Sequence, residues 1–442
     1  MVKRARDVLN RPFAPRFLKL VFQGVFIGLV TGIVVSLFRW LIDHTLQFLF
    51  VLYPYLAKHP LYIIFYALLL VGVCWLLGKI LKYDLTNLVG SGVPQIEAVL
   101  TGENKMNCWQ ILWRKFVGGL LAICPGLLLG REGPCIQMGA CIGQGFARDA
   151  FKTSEDDQKI LMAAGIAAGL SAAFSAPLAG VLFLLEEVTT SFKTKIWITA
   201  LAAALASDFV TLVTLGAKPS MYLKITPSFT QANLFVFIAL GCVIGILAFG
   251  YQYTILDLKF FYSKLKAIPK VYHSIVPLLL TIPLGLWNAK LLGGSHDFIS
   301  YVIDLSLGSK DWLQLLKLLV LFFVIRFVFS MISYGASVPG GIFMPILSLG
   351  AIIGCIAGIS LLQFGVIEQS QYLGVVLISM AAYFGAIEKA PFTAIVLLTE
   401  MAGSLAQVFP LVLVTFVAYV VNEWFGGRPI YTALREEMTF EN

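Results

Sequence analysis

The sequence predicts an all-α polytopic membrane protein in which several apolar segments are broken, re-entrant helices, arranged in two related halves. Three observations carry this. Hydrophobic residues make up 59% of the 442 residues and charged residues only 13%, with a mean hydropathy of +0.87; soluble domains carry about a quarter charged residues, so most of this surface cannot face water. Apolar runs recur along the whole chain, and a spanning helix needs roughly 20 such residues. Several of these runs are too short or too glycine-rich to be plain spans, and their Gly/Pro interruptions recur in the second half.

The runs lie at about 20–38, 61–78, 110–129, 160–185, 196–215, 233–253, 272–288, 313–332, 346–363, 371–387 and 393–421. Residues 1–19 precede the first run and are polar and basic, with Lys3, Arg4, Arg6, Arg11, Arg16 and Lys19. No small-residue cleavage site follows and the apolar sequence continues past Arg39, so a retained first span is expected rather than a signal peptide. The excess of positive charge places this end in the cytoplasm, and Lys259, Lys264, Lys266 and Lys270 form a second basic loop on the same side. Topology therefore accounts for the net charge of +8, and no nucleic-acid partner is required. The expected organisation is a cytoplasmic segment 1–19, a membrane domain 20–435 with halves at about 20–215 and 230–435, and a short cytoplasmic tail 436–442.

The repeat is seen in ordered matches. Gly130 to Pro134 is followed by Gly139-Ala140 and Ile142-Gly143; Gly341 to Pro345 is followed by Gly350-Ala351 and Ile353-Gly354. Downstream, Ala176-Pro177 heads an apolar stretch ending in Glu186-Glu187, and Ala390-Pro391 heads one ending in Glu400. Corresponding Gly/Pro-interrupted hydrophobic segments in two halves point to a transporter's binding site.

Three segments share one grammar: Gly90-Ser91-Gly92-Val93-Pro94, Gly130-Arg131-Glu132-Gly133-Pro134 and Gly340-Gly341-Ile342-Phe343-Met344-Pro345. Each is a glycine turn followed by proline, which suits the first turn of a helix because its missing N–H has no intrahelical partner there. A helix that starts inside the membrane leaves N–H groups free and presents the positive end of its dipole. Those groups must be satisfied, and a monovalent anion satisfies them. Ser91 adds a hydroxyl donor from the side.

Other chemistries find little support. The seven cysteines are scattered without a C-x-x-C pair and read as small buried hydrophobes. The four histidines are far apart and form no ligand pair, so no metal site and no cofactor is expected. No catalytic constellation accompanies Glu132 or Glu187, so an enzyme is not expected. Lys115, Glu97, Glu388 and Glu400 read as structurally paired charges, Glu388 with its neighbour Lys389.

At these residues the sequence closely resembles the CLC family of chloride channels and chloride/proton antiporters. The family's anion-site motifs GSGxP, GREGP and GxFxP stand here at Gly90–Pro94, Gly130–Pro134 and Gly341–Pro345, and its C-terminal tyrosine matches Tyr431. The resemblance implies inverted halves and a homodimer with one pore per subunit. It also implies an anion site in which Ser91 and Tyr431 contribute hydroxyls and Ile342 and Phe343 backbone amides. Gly90, Gly92, Pro94, Gly130, Arg131, Gly133, Pro134, Gly341 and Pro345 support that site. Glu132 is implied as an external gate and Glu187 as the internal proton-transfer acid. The chain ends eleven residues after Tyr431, so the cytoplasmic CBS domains of many relatives are not expected, and the type implied is that of a bacterial inner membrane.

The chemistry of Glu132 suits such a gate. Ionised, its carboxylate mimics the anion; protonated, it gains nothing from the field of the helix starts and swings away. An intramembrane acid is costly and so points to function. The expected activity is chloride/proton exchange, with a passive proton-gated chloride channel as the alternative on the same scaffold. Serine at position 91 is associated by resemblance with chloride, and proline there with nitrate.

Overall fold

Glycine, proline and a few left-handed residues decide where the helices of this protein start and stop. The computed structural model describes residues 15–440 apart from 190, 217–232, 259–261, 263, 266, 295, 309–310 and 406. Lys3, Arg4, Arg6 and Arg11 of the basic segment, and Lys259 and Lys266 of the basic loop, lie outside the described residues.

In chain order the α-helices are α1 (Pro15–Lys58), α2 (Leu61–Leu81), α3 (Leu85–Leu88), α4 (Val93–Thr101), α5 (Cys108–Ile123), α6 (Glu132–Gly145), α7 (Glu155–Phe174), α8 (Pro177–Phe183), α9 (Thr194–Leu215) and α10 (Asn233–Leu256). There follow α11 (Ile275–Asn288), α12 (His296–Gly308), α13 (Trp312–Gly335), α14 (Phe343–Gln363), α15 (Tyr372–Glu388), α16 (Pro391–Ala402), α17 (Val408–Trp424) and α18 (Ile430–Glu436). Single π-helical turns, Phe146–Ala150 and Leu184–Val188, extend α6 and α8. Eight helical segments among the described residues are long and apolar enough to cross a membrane. Their outer faces carry exposed large apolar side chains, such as Phe22, Ile33, Phe65, Phe209, Phe235 and Val324, as a lipid-facing surface requires. Helix α15 is instead buried along nearly its whole length.

The structure corrects three of the expected spans. The first is far longer than 20–38: α1 runs on through Arg39, which is buried, and Asp43, which is half-exposed. Arg39 donates to the Ala172 carbonyl and the Ser175 hydroxyl, and Asp43 pairs with Arg131. The run 160–185 is two helices, broken at Ser175, whose φ of +55° turns the chain before Ala176-Pro177. The run 393–421 is also two, because Gly403 closes α16 in the left-handed region at φ +65°.

The two halves use one packing scheme twice. Helix α6 packs on α7 as α14 packs on α15, α9 lies against α1 and α7 as α17 lies against α10 and α15, and α8 joins α7 and α9 as α16 joins α15 and α17. The α6–α7 pair is drawn backbone to backbone: a Cβ on Gly165 would meet the Gly139 carbonyl oxygen at 2.0 Å, so only glycine fits. Lys389 repeats the left-handed turn of Ser175, at φ +59°.

Two contacts fix how the halves are related. The carboxylate of Glu186 accepts from the N–H groups of Phe392 at 3.1 Å and Thr393 at 2.8 Å, in the first turn of α16. The carboxylate of Glu400 accepts from Leu178 at 3.1 Å and Ala179 at 2.8 Å, in the first turn of α8. Each acid lies nine residues beyond the proline that opens its own helix, so each half caps the other with the same residue. Likewise Gly130 and Gly341, which head the matched segments, exchange both backbone hydrogen bonds at 2.7 Å. Such reciprocal contacts define a two-fold relation. Because the end of α8 meets the start of α16 and the reverse, the two helices are antiparallel, and the halves are inverted.

Candidate functional site

All three glycine–proline segments start helices, and backbone hydrogen bonds tie their loops together. Helix α4 begins at Val93 after Gly92, α6 at Glu132 after Arg131, and α14 at Phe343 after Ile342. Gly90 donates to the Val338 carbonyl at 2.9 Å and accepts from Gly340 at 3.0 Å, which joins the first loop to the third. The Gly130–Gly341 exchange joins the second to the third. Pro94, Pro134 and Pro345 all lie in the first turns of their helices, where the first N–H groups have no intrahelical carbonyl to reach.

Ser91 is buried beside α6: a Cβ on Gly133 would meet the Ser91 Cβ at 2.6 Å. Its Oγ accepts from the Val93 N–H at 3.3 Å, and the Tyr334 hydroxyl stands beside it. Gly92 is held at φ +91°, with the Gln137 Oε1 2.3 Å from where its Cβ would stand. Neither the backbone nor the space admits another residue there. Gln137 itself donates to the Asn87 carbonyl at 2.8 Å.

Glu132 is fully buried, and neither carboxyl oxygen has a hydrogen-bond partner. Arg131 does not neutralise it by a direct contact but pairs with Asp43 at 2.5 Å. The Glu132 carboxylate folds back on its own loop: the position of a Cβ on Gly130 lies 2.3 Å from Oε2 and 3.2 Å from the Met344 nitrogen. The acid and the first turn of α14 therefore share one pocket. This pocket meets a small cavity lined by Asp43, Arg131, Glu132, His296 and Asp297.

Tyr431 lies in the first turn of α18, buried, with its hydroxyl beside the Glu388 carboxyl. Its ring meets Phe183 edge-on at 6.3 Å, Phe183 meets Phe343 at 6.0 Å, and Phe343 packs on Phe384 at 4.2 Å. This aromatic chain brings Tyr431 to the helix starts around Ile342 and Phe343. Glu187 is buried in the π-helical turn after α8, with Oε1 unbonded; such turns are frequent at functional sites. The charges that face Glu132 are Arg131, Arg39 and Asp43, and those that face Glu187 are Glu388, Glu97 and Glu186. The two sets share no member, so the two acids lie apart, Glu132 at the helix starts and Glu187 at the end of α8.

The paired charges expected from sequence fall out differently. Among the described residues Lys115 has no acid partner; its ammonium donates to the carbonyls of Leu88 and Gly90, both at 2.9 Å. Glu97 faces Arg435 at 3.9 Å, and Glu400 caps α8. Lys389 pairs with Glu423 at 2.6 Å, so Glu388 is left without the partner expected for it. Sequence reasoning missed Asp43, Gln137 and Lys115 as supports of the loops. A lone polar residue in an apolar run was the only signal each carried.

An inverted-repeat, all-α membrane protein that gathers helix starts around a buried site belongs among the membrane transport proteins. The family model described as voltage gated chloride channel matches residues 73–423, and the chain belongs to that family. Among curated proteins it is similar to an H(+)/Cl(-) exchange transporter, ClcA, of Vibrio cholerae, at 29% identity over 98% of this chain and 93% of that one. It is 31% identical to the exchange transporter of the same name from Vibrio parahaemolyticus, over 78% of this chain and 73% of that one. Among solved structures it resembles a slow cyanobacterial Cl-/H+ antiporter, with a TM-score of 0.88, 29% identity, and coverage of 96% and 98% of the two chains. A CLC-type fluoride/proton antiporter shares the fold at a TM-score of 0.71 and 22% identity. These relatives are transporters rather than enzymes.

Proposed function

We propose that this protein is a secondary active antiporter that exchanges chloride for protons. The observation that carries the reading is Glu132: a fully buried carboxyl without a hydrogen-bond partner, in one pocket with the first turn of α14. Ionised, it takes the place of an anion at the helix starts and closes the path. Protonated, it is neutral, loses that attraction, and yields its place to chloride. One side chain then links proton binding to anion access.

In this reading Ser91 and Tyr431 offer hydroxyls and Ile342 and Phe343 offer amides to the central chloride. Gly90, Gly92, Pro94, Gly130, Gly133, Pro134, Gly341 and Pro345 shape the loops, and Arg131 holds the field at the gate. Glu187 takes protons from the cytoplasmic side. The exchange named for the Vibrio and cyanobacterial relatives supports the same assignment. We further propose a homodimer with one pore per subunit in a bacterial inner membrane, halves at about 20–215 and 230–435, and both termini in the cytoplasm. The basic residues Arg16 and Lys19 at the start of α1 support that orientation.

Glu187→Gln tests the assignment in reconstituted liposomes. Proton movement driven by a chloride gradient should stop while chloride continues to cross. Proton movement at the native ratio in this variant removes Glu187 from the path.

A further inference from the structure

The reading above leaves Glu388 unused. It ends α15, is fully buried, and has neither a cation nor a backbone N–H beside its carboxyl oxygens among the described residues, only the Tyr431 hydroxyl. Its sequence neighbour cannot help, because Lys389 turns away at φ +59° and binds Glu423. The groups that face it come from every element around it: Tyr431 from α18 and Glu97 from α4, Glu187 from the π-helical turn, Tyr334 from α13 and Tyr251 from α10. No cation stands among them. Gln252, also on α10, is occupied with the carbonyls of Ile387 at 2.7 Å and Arg428 at 2.8 Å.

A structural acid at this depth would be capped or ion-paired, as Glu186 and Glu400 are. An ionised carboxylate without such partners costs several kcal/mol, and an intramembrane acid kept at that cost points to function. Glu388 interacts with groups at both ends of the proposed path: with Glu187 and with Tyr431, the proposed chloride ligand.

We propose that Glu388 is a proton-relay residue between Glu187 and the anion site, and that its proton decides where the Tyr431 hydroxyl donates. The O–H bond on Glu187 breaks as one forms on Glu388, and the negative charge passes back to Glu187 for reloading from the cytoplasm. The phenol has a single O–H. Ionised Glu388 takes that O–H; protonated Glu388 releases it to chloride. Two negative charges in one dry pocket repel strongly, so chloride at Tyr431 and a proton on Glu388 favour one another. When the anion leaves, the O–H bond on Glu388 breaks as one forms on the ionised Glu132 carboxylate, and Glu388 is again ready to accept from Glu187.

This inference rests on the antiport reading, and the experiment separates the two. Native protein, Glu388→Gln and Glu388→Asp are reconstituted in liposomes, and proton uptake and chloride flux are followed in the same vesicles under a chloride gradient. Glu388→Gln should lose proton uptake by at least about tenfold while chloride still crosses, and Glu388→Asp should recover most of it. If the glutamine variant does not reconstitute, Glu388→Met, which suits the apolar surroundings, carries the same test. Proton uptake at the native ratio in Glu388→Gln, or in Glu388→Met, overturns the relay, as does an aspartate variant no better than the glutamine one. Failure of the native protein to move protons uphill sinks the antiport reading itself.

Discussion

Replacing Gly130 by alanine should push the gate aside without touching its charge. Gly130 does not occupy the left-handed region, so the backbone accepts alanine. The added methyl carbon would stand 2.3 Å from the Glu132 Oε2. Ordinary contact begins near 3.4 Å, so the carboxylate, at the end of a flexible side chain, must retreat by about 1 Å. The interaction it loses is that of a carboxylate with the positive end of a helix, worth up to about 2 kcal/mol. Occupancy of the closed position then falls by up to roughly 30-fold. Chloride efflux from liposomes, measured at neutral and at acidic pH, reads this directly. In native protein efflux should rise as pH falls, because protonation is what frees the site. In Gly130→Ala the neutral-pH flux should rise and the ratio of the two should approach one. A variant with native rate and native pH response refutes the claim that the Glu132 carboxylate closes the path from this pocket.

Two further perturbations test the scaffold. Lys115→Met leaves the Leu88 carbonyl without its buried donor, at a cost of about 1–3 kcal/mol, and takes from the Gly90 carbonyl one of its two donors, so chloride binding by calorimetry should weaken along with thermal stability; unchanged binding would show that the ammonium does not hold the Ser91 loop. Gly165→Ala forces a methyl against the Gly139 carbonyl, and overpacking of this kind costs about 1–3 kcal/mol, so the melting temperature in detergent should fall, and a native value would mean that α6 and α7 are not packed backbone to backbone.

Much of this site was legible in the sequence because its parts are backbone features written in glycine and proline. The helix starts at Val93, Glu132 and Phe343 lie where the three Gly–Pro segments place them. The repeat was visible too, although its inversion was not: that follows from the reciprocal capping by Glu186 and Glu400, a contact between residues more than two hundred positions apart. Charge partners were the least legible. Glu388 and Lys389 are adjacent in sequence, but successive helical residues do not face each other, and the left-handed turn at Lys389 sends its ammonium to Glu423. Arg39 and Asp43 looked like the end of an apolar run because nothing local shows that their partners, Ala172 and Arg131, lie on other helices. The short spans were misjudged for a related reason. Ser175 carries a left-handed turn that glycine usually marks, and the break at Ala176-Pro177 leaves the hydropathy of 160–185 undisturbed.

The most direct test of coupled exchange is a proton measurement on the native protein in liposomes loaded with chloride and diluted into low-chloride medium, with no initial pH difference. Chloride leaving down its gradient should draw protons in against theirs, and a protonophore should collapse the pH difference so formed. Chloride efflux with no uphill proton movement would contradict the account and leave a passive channel on this scaffold.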